Sequence, residues 1–203
     1  MNKAFLSVLS AIVVLFCCTM CADNSQYLIV NGTIDPSFDG YNVYFRPQPF
    51  PTGDIVDSCK VANGKFSFRL DADSLYVGDL VLSYSSPRRV EPILMAVEPG
   101  TLTVHLDSDS QASGTPINDS LAVWKQFIVD NVQGHKFDEL YNVQAVFEKR
   151  TVEFIKNQPN AVGGYLFFLY NGSFLPESIQ ELKDLNIYQY IPDVNKRPLK
   201  FNK

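Results

Sequence analysis

Residues that commonly carry chemistry are scarce in this chain. It has two histidines, one tryptophan and four cysteines. Three of the cysteines, Cys17, Cys18 and Cys21, crowd into one short stretch, leaving Cys59 alone in the remainder. A zinc site draws on Cys and His at short fixed spacings; none occurs after Cys21, and His105 and His135 stand apart, so no metal is expected. G-x-S-x-G is absent, which removes the nucleophile elbow. The one Gly-Gly pair, Gly163-Gly164, has no strand leading into it, as a phosphate loop requires, and reads as close helix packing. No block of Lys and Arg interrupts the chain, which argues against nucleic acid. The apolar run Ala4–Phe16 falls short of the ~20 residues that span a bilayer.

That run opens what is present. Lys3 supplies a cationic start, "AFLSVLSAIVVLF" an apolar core of signal-peptide length, and Asp23 the first acidic residue. Cys18-Thr-Met-Cys21 has the C-x-x-C spacing of redox proteins. A redox pair, however, needs a strand-to-helix turn that holds a thiolate at a helix N-terminus, and this pair directly follows a signal core. The stretch reads instead as a lipoprotein signal over residues 1–20. Leu15-Phe16-Cys17 precedes Cys18, the expected lipidation site, with Cys21 as the alternative and plain secretion to the periplasm as the non-lipid outcome. Loss of Lys3 lowers Lys+Arg from 17 to 16 against 22 Asp+Glu, a net charge near −6.

From residue 24 to 114 short alternating runs are separated by turn residues, the pattern of a β-sandwich. Strands are expected in "YLIVNGTI" (27–34), "YNVYFR" (41–46, with Val43 and Phe45 on one side) and "LYVGDLVLSYS" (75–85). Asn63-Gly64 signals a type I′ turn and predicts a hairpin in which Val61 faces Phe66 and Cys59 faces Phe68. Pro99-Gly100 predicts a second, pairing Val97 with Leu102, Met95 with Val104 and Ile93 with Leu106.

Over 115–192 the period changes to that of helices. Thr115-Pro116, or Asn118, caps a first helix carrying Leu121, Trp124 and Ile128, with Gly134 as its stop. Leu140, Val143, Phe147 and Phe154 mark a second, closed by Gln158-Pro159. Asn160 caps a third, "AVGGYLFFLYN", and Pro176-Glu177 starts a fourth. Residues 193–203 form a tail. The expected fold class is α+β: an antiparallel β-sandwich of about seven to eight strands followed by a small helical subdomain of about three to four helices.

Within this frame, Cys59 alternates with core positions and reads as a buried small hydrophobe. Asp107 and Asp109 lack the third acid, the glycine and the distal Glu of a calcium loop and read as a solvated turn. The aromatics alternate with polar residues as core, so no glycan platform stands out. Asp73-Ser74-Leu75 and Asp119-Ser120-Leu121 resemble a short bacterial O-glycosylation acceptor pattern, making Ser74 and Ser120 candidate modification sites; ordinary surface turns account for so short a pattern more readily, since chance meets it easily.

Taken in order, the signal, "YLIVNGTI", "GYNVYF", "VANGKFSF", "PILMAVEPGTLTVHLDS" and "SGTPIND" resemble a domain of unknown function. That domain precedes the thioredoxin-like domain in many envelope thiol-disulfide oxidoreductases of Gram-negative bacteria. "VEFIKNQPNAVGGYLFFLY" resembles their helical connector. The W-C-x-x-C of the following domain has no counterpart here, so the resemblance implies no catalytic residue and no cofactor. The expectation is a non-catalytic envelope lipoprotein, anchored to the membrane by its lipid, with a binding or scaffolding role. Two alternatives stand beside it: an accessory of a separately encoded thioredoxin-like partner, and a module that binds glycans or other surface ligands.

Overall fold

The computed structural model describes residues 26–48, 57–83, 89–131 and 140–191. Cys18, Cys21, Gly134, His135 and the 193–203 tail lie outside them. Among the described residues eight strands form two four-stranded sheets. Sheet A runs β4 (Lys65–Asp71), β1 (Tyr27–Ile34), β7 (Gly100–Leu106), β8 (Gln111–Ser113). Sheet B runs β3 (Asp57–Lys60), β2 (Asn42–Gln48), β5 (Tyr76–Leu82), β6 (Ile93–Val97). Every ladder is antiparallel except β1–β7, which is parallel. Four helices follow: α1 (Pro116–Asn131), α2 (Leu140–Asn157), α3 (Ala161–Tyr170) and α4 (Pro176–Asp184).

Alternation builds the sandwich. β1 buries Leu28, Val30 and Ile34, β2 buries Val43 and Phe45, and β4 buries Phe66, Phe68 and Leu70, all in one inner core. Fully burying a side chain of this size is worth about 1.5–3 kcal/mol. The helices pack on the other face of sheet B, where Val77 and Ala96 join Leu121, Trp124, Ile155, Val162 and Leu166 in a second core. Sheet B is therefore buried on both faces beneath the helices, giving three layers: sheet A, sheet B, helices.

Both expected hairpins prove to be crossovers between sheets. Asn63 (φ 53°) and Gly64 (φ 66°) do form the turn with both φ positive, closed by Ala62 and Lys65 exchanging N–H···O bonds of 3.0 and 3.1 Å. A side chain at Gly64 would place its Cβ 2.7 Å from Ile34 O. Beyond the turn the arms part: Val61 N–H donates to Tyr41 O (2.9 Å), β3 pairs with β2, and β4 pairs with β1. Likewise β6 pairs with β5, while β7 pairs with β1 and β8. Ile93, Met95 and Val97 thus share the inner core with Leu102, Val104 and Leu106 from opposite sheets. The apolar face was read correctly and the neighbour was not.

The third helix has the expected cap: Asn160 Oδ1 accepts from Val162 N–H (2.9 Å) and Gly163 N–H (3.4 Å). A Cβ at Gly164 would fall 2.3 Å from Tyr190 O. Only glycine lets α3 sit this close to the 3-10 turn Ile187–Tyr190.

Candidate functional site: a cleft beside the edge of sheet B

α1 is fastened across the open side of the sandwich by the S-G-T-P-x-N-D segment. Glu98 Oε1 accepts from Ile117 N–H (2.8 Å) and Asn118 N–H (3.3 Å), which supplies an anionic cap to the first turn. Asp119 Oδ1 accepts from Gly114 N–H (2.8 Å). Asn118 is buried; its Nδ2 donates to Ala96 O (2.9 Å) and Thr115 Oγ1 (2.8 Å), and its Oδ1 accepts from Ala96 N–H (2.9 Å). Asn118 therefore occupies, at one residue, the place a neighbouring strand would take on β6.

Beside this clasp lies a cleft of about 660 Å³ between the start of β6, β8, α1 and α3. Its apolar wall includes Leu94, Ala122, Val129 and Leu169. Val123 and Leu169, at its lips, are 60% and 45% exposed, an unusual cost for large apolar side chains placed together.

Asp79, Tyr165, Lys125 and Trp124, among the polar groups lining the cleft, are already engaged. Asp79 on β5 holds Arg46 of β2 in a two-pronged ion pair, with Nε to Oδ1 at 2.8 Å and the second arm at 2.5 Å. Tyr165 of α3 donates to Gln48 Oε1 (3.2 Å). Burial, helped by the Asp79 charge, pushes the Tyr165 hydroxyl up to about 12, so it stays a neutral donor. Lys125 Nζ donates to Ser110 O (2.5 Å) and lies 3.6 Å from Asp109 Oδ1. Trp124 is buried, with Nε1 donating to Thr151 Oγ1 (3.3 Å).

One grouping that sequence reasoning missed has the residue types of a hydrolytic triad. Thr33 Oγ1 is 2.9 Å from His105 Nδ1, and His105 Nε2 is 3.5 Å from Asp107 Oδ2. The Thr33 hydroxyl is within reach of both His105 Nδ1 and Val104 O (3.3 Å), so it is not committed to the imidazole. A base must take the hydroxyl proton. His105 and Asp107 are also about half exposed, so water competes for every bond.

The candidates read from sequence do not converge. Cys59 sits half-buried on edge strand β3, packed against the inner core, with Sγ 3.6 Å from Lys60 O. Asp107 and Asp109 form a turn in which Asp109 N–H donates to Asp107 Oδ1 (2.7 Å). Ser74 is exposed between β4 and β5. Ser120 lies in the first turns of α1 with its hydroxyl donating to Pro116 O (2.9 Å). No group of three or more His, Cys, Asp or Glu among the described residues is arranged to hold a metal ion, and no described helix is long and apolar enough to cross a membrane.

Residues 28–121 match the model of a family described as a domain of unknown function (DUF4369). No curated protein matches the chain. The matched stretch runs from β1 into α1, so it contains the sandwich, the clasp and the cleft wall made by β6 and β8; α2, α3 and α4 lie beyond it.

Proposed function

We propose that this chain is a non-catalytic cell-envelope lipoprotein, acylated at Cys18 (or Cys21), that binds a partner or ligand through the cleft. The observation that carries the reading is the cleft itself: exposed apolar lips beside Asp79, Tyr165 and Lys125, each of which already holds a protein partner. Such a surface offers area and shape for recognition, whereas a catalytic site needs a group free to accept a proton or attack. The leader, Lys3 followed by Ala4–Phe16, supports export, and the cysteines after it support a lipid anchor on the outer membrane, facing periplasm or surface.

The test pairs an activity assay with cleft variants. Full-length protein is expected to give no insulin reduction and no peroxide turnover; clear turnover abolished by Cys59→Ser overturns the non-catalytic reading. Val123→Glu or Leu169→Glu, both at exposed positions, is expected to leave folding intact and to abolish occupancy of the cleft.

A second reading makes the chain an accessory of a separately encoded thioredoxin-like oxidoreductase. It is favoured by the match over residues 28–121 together with the domain order of the proteins the sequence resembles. Co-purification from the envelope should recover such a partner, and repeated failure to find one counts against it. Modification of Ser74 fits the envelope setting as well, since its loop is exposed.

A further inference from the structure

The free edge of sheet B opens into the cleft. β6 is the outer strand of that sheet, with β5 on one side. In an antiparallel ladder each residue turns both its N–H and its C=O toward the partner strand or away from it, in alternation. Ala96 turns them away, because both bond to the Asn118 side chain. Leu94, two residues earlier and paired with Asp79, therefore also turns its N–H and C=O outward. Pro92 and Leu94 line the cleft. The edge is tied down on either side of this gap. Asn118 fills the Ala96 position, while Glu91 N–H donates to Asp107 O (2.7 Å) and Glu91 O accepts from Ser110 Oγ (2.5 Å). Among the described residues, no group bonds the outward pair of Leu94 between those ties.

We propose that the gap is a strand-addition site, at which an extended polypeptide segment docks along Pro92–Leu94 as a fifth strand of sheet B. The proposal rests on the cleft being the binding site and specifies its occupant. A peptide backbone presents the C=O and N–H that Leu94 needs, at the matching spacing, and alternate side chains can meet the apolar lip of Ala122, Val123 and Leu169. Asn118 already imitates one residue of such a strand, and the added segment extends its line. The host carries 22 acidic against 17 basic residues, so a segment with cationic ends is attracted and an acidic one repelled.

The experiment uses isotope-labelled full-length protein and a pool of blocked heptapeptides with β-branched or aromatic residues at alternate positions and lysine at both ends. Binding is expected to shift the Leu94 amide downfield, slow its hydrogen exchange, and perturb Val123 and Leu169. N-methylation of the peptide amide that faces Leu94 O is expected to weaken binding about fivefold, the loss of one exposed hydrogen bond. Val123→Glu is expected to abolish it. Equal binding by the N-methylated pool, an unmoved Leu94 amide, or no binding by the pool overturns strand addition. An anionic naphthalene dye serves as a second probe. If the dye perturbs Val123 and Leu169 while the peptides do not, the cleft still binds and only the strand proposal falls; if neither probe does, both readings fall. Protection of the Leu94 amide in a dimer of the free protein would assign the edge to a second copy and also overturn it.

Discussion

Asn118 does the work of several residues. Its amide satisfies both backbone groups of Ala96, and truncation strands that N–H and C=O at the seam between helix and sheet. Asn118→Ala is expected to destabilise the fold by about 2 kcal/mol, the cost of leaving partly buried polar groups unpaired. Asn118→Asp keeps an acceptor but loses the donor to Ala96 O, and should also be destabilised. Urea unfolding followed by the fluorescence of Trp124, the only tryptophan, measures both. A loss within 0.5 kcal/mol of zero, on the scale of ordinary surface changes, would show that the clasp is dispensable.

Tyr165 gives a pH prediction at the same scale. Its folded pKa is raised from 10.0 to about 12, so the folded state holds this proton more tightly than the unfolded chain. The associated stability is complete below pH 10 and is lost as pH rises from 10 to 12. Tyr170 and Tyr76 are shifted upward too, chiefly by burial, and add to the same alkaline loss. Tyr165→Phe should flatten the fall of stability across that window without removing it. An unchanged slope would show that the Tyr165 hydroxyl is hydrated in the folded protein.

At the scale of elements, α3 depends on its glycines. Replacing a helical Gly by Ala normally stabilises by about 1 kcal/mol. At Gly164 the new Cβ would lie 2.3 Å from Tyr190 O, so the sign should reverse, with a loss of about 1–3 kcal/mol. A thermal melt of Gly164→Ala that rises would contradict the close approach of α3 to the 187–190 turn.

Elements also mark how far the sequence could be read. Capping and period located α3 and α4 well, because Asn160 and Pro176 act on the turn that follows them. β1 was fully legible, since its alternation is continuous from Tyr27 to Ile34. Strand partnership was not. Asn63-Gly64 dictates a reversal of the chain, and alternation dictates which side chains are buried, but two arms facing one core satisfy both conditions whether they lie in one sheet or in two. The choice was made by longer contacts, such as Val61 N–H on Tyr41 O and the parallel β1–β7 ladder, which leave no local mark. The cleft was hidden for the same reason. Arg46, Asp79 and Tyr165 lie on three separate segments until the sheet and α3 bring them together, and nothing local to Val123 or Leu169 marks them as the lips of a cleft.

At the scale of the molecule, three layers divide the work. The sandwich supplies a rigid frame, the helices cover one face of sheet B, and the clasp from Glu98 to Asp119 fixes the angle between them and leaves the cleft open beside β6. Anchoring by an N-terminal lipid would hold this assembly at a membrane surface, where a chain of net charge −5 and without a basic block has little electrostatic attraction of its own to acidic lipid. An intact mass taken on protein extracted from native membranes tests that account most directly. The predicted mass is that of a chain starting at Cys18, or at Cys21, with a thioether-linked diacylglycerol on that cysteine. A mass equal to the unmodified 203-residue chain, leader retained and sulfurs free, would contradict it.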